Sequence, residues 1–195
     1  MNKGRLEAFS DGVIAIIITI MVLELKVPHG ESFADLKPSI PTLLMYALSY
    51  IYVGIYWNNH HHMLHASGGV TGGILWANLH LLFWLSLIPF TTAWMGENHF
   101  TAAPSALYGF VLLMAAIAYW ILQQLIIRAQ GSDSTLKRAI GADTKGKVSP
   151  ALYLLAIVSA FWSPHVSQAI YVLVALLWLI PDRRIERMMS TKEAE

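Results

Sequence analysis

The chain has 195 residues, 56% of them hydrophobic and 13% charged, with a formal net charge of +1 at pH 7 and no cysteine. At a mean hydropathy of +0.53 it is too oily and too charge-poor for an ordinary soluble domain, so it reads as an all-α integral membrane protein. Without cysteine, disulfides, thiolate metal sites and cysteine nucleophiles are excluded, and no nucleic-acid partner is expected.

Six apolar stretches follow in chain order, at about 10–28, 40–58, 72–95, 104–128, 149–164 and 166–181, where a bilayer-crossing helix needs about 20 residues and at least about 17. The first four are comfortable spans. The last two are short and meet at Ser163-Pro164-His165, which predicts a tight helical hairpin with Pro164 stopping the fifth span. The first run lacks a small-residue cleavage site, so the N-terminus is expected to be retained. No sequence repeat relates 1–95 to 104–181, which weakens an inverted-repeat transporter reading. The chain reads as one six-helix domain over 1–195, with a flexible loop at about 129–148 and a tail at 182–195.

With six spans, one side of the membrane receives Lys3, Arg5, Arg128, Lys137, Arg138, Lys145, Lys147, Arg183, Arg184, Arg187 and Lys192, and the other only Lys26 and Lys37. The positive-inside bias places both termini and the 129–148 loop in the cytoplasm, for a multi-pass protein of the cell's inner (plasma) membrane. Trp57, Trp76, Trp94, Trp162 and Trp178 fall near predicted span ends, as interface anchors do.

The first span carries the polar groups that most need explaining: Arg5, Ser10, Asp11 and Thr19 lead into or lie within an apolar helix, where such groups are costly unless paired or used. At about 100° per residue, Gly12, Ile16, Thr19 and Leu23 share one stripe, with Ala15 beside it. A small residue, two aliphatics and a hydroxyl on one face suit a narrow pore if several copies meet around an axis. Ordinary helix packing, with Thr19 bonded back to its own backbone, produces the same pattern. Lys26 sits near this stripe at the outer mouth, awkwardly for a cation path, unless the helix ends around Leu25 to Pro28.

Asp11 lies about a quarter turn off the stripe and should face a neighbouring helix. Partners stand at the end of the second span in Trp57, Asn58, Asn59, His60, His61, His62 and His65, whose indole and imidazole N–H groups can hold a carboxylate; Arg5 is a further partner, within the subunit or from a neighbour. A polar clamp between the first two helices is expected. His61 and His65 have i,i+4 spacing and are weak metal candidates, but no Glu or Cys accompanies them in a hydrolase or zinc pattern. In the third span, Pro89 predicts a kink that Thr91 and Thr92 help satisfy, and Asn78 is suited to bonding across helices.

The run Arg5-x-x-x-Phe9-Ser10-Asp11-x-x-x-Ala15-Ile16-x-x-Thr19 resembles the signature of the transmembrane protein 175 family of potassium channels. The resemblance extends to the Asn-His-His stretch after span two and to Leu87-Ile88-Pro89-Phe90. It implies a homotetramer whose first helices line the pore, with potassium and similar monovalent cations as permeant ions and no cofactor. By the same resemblance, Ile16 is the hydrophobic constriction, Leu23 a second apolar layer and Thr19 a hydroxyl ring favouring potassium. Arg5, Ser10, Asp11, Trp57 and one of His60, His61 or His62 take structural roles in a polar network. No Thr-Val-Gly-Tyr-Gly filter sequence occurs. The reading is a channel and not an enzyme. The alternative is a proton- or ion-coupled secondary transporter using Asp11 and the histidines as a relay.

Overall fold

The computed structural model describes residues 2–131, 134–141 and 143–179, and every regular element among them is helical. Helix α1 spans Lys3–Leu23 and opens where the Asn2 side chain accepts from the Gly4 N–H at 3.1 Å. It begins well upstream of the apolar stretch, because hydropathy marks the oily part of a helix and not its capped polar first turns. Its inward face is Leu6, Ser10, Ile14, Ile17 and Met21, the three- and four-residue spacing of a helix buried on one side.

A short 3-10 helix at Phe33–Ser39 leads into α2, Ile40–His65. The Ser32 N–H and hydroxyl both donate to Asp35 Oδ2, at 2.9 and 2.7 Å, and fix this turn. Because α2 continues to His65, Trp57 stands two turns inside the helix and is not at its end. The third stretch is broken as Pro89 predicts, into α3, Gly72–Ser86, and α4, Ile88–Glu97. Pro89 offers no N–H to the Leu85 carbonyl. The Thr91 hydroxyl lies 3.2 Å from the Leu87 carbonyl and 3.1 Å from that of Ile88, while Thr92 donates to Ser49 at 2.7 Å.

Helix α5, Ala102–Gln130, is followed by α6, Thr135–Ile140, and α7, Thr144–Ser159. The segment expected to be a flexible loop is therefore largely helical. The Ser134 side chain caps α6 at Lys137 N, and Asp143 caps α7 at Gly146 N, two N-cap signals that outweigh the local Gly and Asp content. Pro164 is also corrected: α7 ends at Ser159 and Pro164 opens α8, Pro164–Leu179. A proline whose missing N–H would be unpaired anyway is well placed in a first turn. The tail 182–195, with Arg183, Arg184, Arg187 and Lys192, lies outside the described residues.

Among the described residues, four helical units, Lys3–Leu23, Phe33–His65, Gly72–Glu97 and Ala102–Gln130, are long and apolar enough to cross a membrane. Helices α7 and α8, 16 residues each and so about 24 Å long at 1.5 Å per residue, pack together as the expected hairpin. Helix α5 packs on α3, α4, α7 and α8, while α1 packs on α2, α3 and α4 at the side. Polar tyrosine contacts stitch the core: Tyr52 donates to the Tyr171 carbonyl at 2.6 Å, Tyr171 donates to the Ser105 carbonyl at 2.8 Å, and Tyr108 and Ser49 oxygens meet at 3.0 Å. In surroundings this apolar, each buried hydroxyl needs such a partner. Gly96 lets α4 approach α2, since a Cβ there would stand 2.7 Å from Thr42 Cα.

Candidate functional site

Helix α1 has two unlike faces. The inward one is sealed against α2, α3 and α4, whereas Gly12, Ile16, Thr19 and Leu23 lie on the open side, with Ile16 59% and Leu23 75% exposed. Among the described residues, nothing beyond α1's own adjacent backbone stands within 4 Å of where a Gly12 Cβ would be. The stripe is thus not packed within the subunit. Thr19 does bond back to its own backbone, donating to the Ala15 carbonyl at 3.0 Å. That bond uses the hydroxyl proton and leaves the oxygen lone pairs for whatever stands in front of the face.

Behind the stripe, two polar links tie α1 to its neighbours. The Trp57 indole N–H donates to Asp11 Oδ1 at 3.0 Å, joining α1 to α2. Deeper in, Asn78 of α3 is the hub: its amide donates to Ser10 Oγ at 2.9 Å, its Oδ1 meets His60 Nε2 at 2.6 Å, and Ser10 in turn donates to the Leu6 carbonyl at 2.8 Å. Ser10, His60 and Asn78 are all fully enclosed, at 0%, 1% and 0% exposure. Three helices are therefore pinned by side chains that would each be expensive to bury alone.

Of the residues assigned to the polar network, Asp11 and Trp57 are joined directly, and Ser10 and His60 through Asn78. His61 stacks on Trp57 with ring centroids 6.2 Å apart, and its ring lies 5.7 Å from that of His62. Arg5 is exposed and forms no ion pair with Asp11 among the described residues. Six residues are about 600° of helix, which turns the two side chains some 120° apart and sets them about 9 Å apart along the axis. The indole, one of the donors expected at the end of the second span, holds the carboxylate within the subunit. His61 and His65 have ring centroids 6.1 Å apart, and no group of three His, Asp or Glu side chains able to hold a metal occurs among the described residues.

Two contacts were not foreseen. Lys3 Nζ donates to the His65 carbonyl at 2.6 Å, a cation on the end of α2 where helix carbonyls lack partners. Lys26 forms a 2.5 Å ion pair with Glu97, tying the chain after α1 to the end of α4. The ammonium that looked awkward at the mouth is thereby drawn aside, and Glu97, by hydrogen bond and by charge, raises its pKa above the ordinary 10.5. An unpaired cation at the end of a span, and an acid at the end of another on the same side, were the available signals.

Along 97% of its length the chain is 58% identical, over 190 residues, to a potassium channel of Chryseobacterium sp., of which it covers 99%. The family profile described as endosomal/lysosomal potassium channel TMEM175 matches residues 5–89. The chain belongs to the TMEM175 family. The fold agrees: the structure of a lysosomal potassium-selective channel TMEM175 homologue from Chamaesiphon minutus superposes with a TM-score of 0.76 at 28% identity, covering 92% of this chain and 97% of that one. The human endosomal/lysosomal proton channel TMEM175 is 37% identical over 73 residues, 31% of this chain and 14% of its own length. As a TMEM175 protein the chain is a member of a channel family and not an enzyme. The profile match, 5–89, contains both the bare stripe of α1 and the Asp11–Trp57 and Ser10–Asn78–His60 links behind it.

Proposed function

We propose that this protein is a potassium-permeable cation channel, a homotetramer in which four copies of α1 turn the Gly12-Ile16-Thr19-Leu23 stripe toward a common axis. The observation that carries the reading is the two-faced α1: one side sealed in the subunit, the other bare and lined with aliphatic residues and one hydroxyl. A single helix cannot enclose a pore, so the bare face needs copies of itself. Ile16 is the constriction, a ring of aliphatic side chains that closes by dewetting and opens by a small radial retreat. Leu23 is a second apolar layer, and Thr19, its proton held by Ala15, presents oxygen lone pairs that attract a cation.

Ions crossing such a ring keep most of their water, so selectivity for potassium is weaker than a carbonyl cage provides. Helices α7 and α8 are taken as the fifth and sixth crossings, both termini as cytoplasmic and the membrane as the cell's inner (plasma) membrane, on the charge asymmetry of the loops. Arg5, at the cytoplasmic end of the same stripe, is free to reach a neighbouring subunit. No observation favours the coupled transporter over this reading.

Reconstitution in planar bilayers tests it. A potassium gradient should give steady unitary currents reversing near the potassium equilibrium potential, and Ile16→Asn should raise the open probability or leak. Currents stoichiometrically coupled to protons, or an Ile16→Asn channel indistinguishable from wild type, would overturn it.

A further inference from the structure

Away from α1, on the far side of α2, a cavity of about 50 Å³ lies between α2, α5, α7 and α8. A single water occupies roughly 10–15 Å³ on this measure, so the space takes about four non-hydrogen atoms. Its walls carry Asn59, Gln123, Asp143 and the rings of Tyr56, Tyr119 and Trp120. Gln123 is the telling residue. It is only 5% exposed and forms no hydrogen bond with another described residue, and since it is not one of the fully sealed unpaired groups its amide opens on this space.

The other polar groups lean toward acceptance. Asn59 spends one amide N–H on the Ile55 carbonyl at 2.8 Å, which leaves its oxygen and its second N–H. Asp143, whose Oδ1 holds the Gly146 N–H at 3.1 Å, brings a carboxylate charge. The Tyr56 and Tyr119 hydroxyls are directed at backbone carbonyls at 3.5 Å, and their rings meet edge to face at 6.2 Å. No basic side chain lines the cavity among the described residues. Acceptor oxygens, one negative charge and aromatic walls are the chemistry that holds an organic cation, through charge, N–H donation and the ring quadrupoles.

We propose that this cavity binds a small organic ammonium group, with Asp143 and Gln123 as its polar anchors and the Tyr56, Tyr119 and Trp120 rings as its walls. The group is either a free amine or the ethanolamine headgroup of a membrane lipid. The site is separate from α1, so its failure would leave the pore reading untouched.

The test uses the purified full chain with ethanolamine hydrochloride as free probe, potassium chloride at matched ionic strength and the neutral ethylene glycol as controls. The readout is thermal unfolding followed by tryptophan fluorescence. Ethanolamine at ten times its dissociation constant should multiply the folding constant about eleven-fold, a rise of roughly 3–6 °C in midpoint. Asp143→Asn, which keeps both the helix cap and the left-handed backbone at φ 45°, should abolish the shift, and Gln123→Leu should reduce it several-fold. In parallel, native mass spectrometry from bilayer discs of phosphatidylethanolamine or phosphatidylglycerol counts retained lipid. A shift without retained phosphatidylethanolamine identifies a free amine, and retention lost in Asp143→Asn identifies the lipid. The proposal is overturned by an equal shift from ethylene glycol, by an unchanged shift or retention in Asp143→Asn, or by neither shift nor retention in the wild type.

Discussion

Replacing Asn78 with leucine isolates the hub that joins α1 to the bundle. The substitution keeps the branched shape and the number of side-chain heavy atoms, so the loss is chiefly polar: the 2.9 Å bond to Ser10 and the 2.6 Å bond to His60 both vanish. Ser10 keeps the Leu6 carbonyl, but His60, 1% exposed, is left with an unpaired ring nitrogen. Interhelical hydrogen bonds in membranes average about 0.6 kcal/mol each, and an orphaned buried group adds about 1–3 kcal/mol. A total of roughly 2–4 kcal/mol is expected, which at about 2–4 °C per kcal/mol for a chain of this size lowers the midpoint by about 4–16 °C. Detergent-solubilised protein followed by tryptophan fluorescence measures it. Ser10→Ala should be less harmful in the Asn78→Leu background than alone, since its partner is already gone. A midpoint within about 1 °C of wild type, or strictly additive losses, would refute the idea that this network holds α1.

Asp11→Ala removes the acceptor of the Trp57 indole and should lower stability by about 1 kcal/mol and reduce the share of the proposed tetramer in native mass spectra; Trp57→Phe should do the same, and the double variant little more. Gly96→Ala places a methyl 2.7 Å from Thr42 Cα and should destabilise by about 1–3 kcal/mol as α4 is pushed from α2, whereas Gly68→Ala, with open space around it, should be near neutral in the same thermal assay. Lys26 has its pKa raised by Glu97, so the pair contributes below the ordinary lysine value of 10.5 and is lost as pH rises through the raised one. The midpoint difference between wild type and Lys26→Gln should accordingly stay flat from about pH 6 to 9 and close in more alkaline buffer; a difference that closes near neutral pH would refute the pairing.

Hydropathy, charge and the placement of proline determined the class, the apolar stretches, the break at Pro89 and the hairpin at the end, because burial in lipid and backbone satisfaction are read residue by residue. The stripe on α1 was equally legible, since helical periodicity fixes which residues share a face. Its openness was not. Whether Gly12, Ile16, Thr19 and Leu23 face a neighbour or stay bare depends on how α2, α3 and α4 pack against the opposite side, and nothing local to α1 encodes that. The same holds for the partners of Asp11 and His60. Sequence offered Arg5, an indole and several imidazoles at plausible range; only the packed helices brought Trp57 to Asp11 and set Asn78 between Ser10 and His60. Hydrogen bonds act over about 3 Å, so a choice among such partners waits on the tertiary fold.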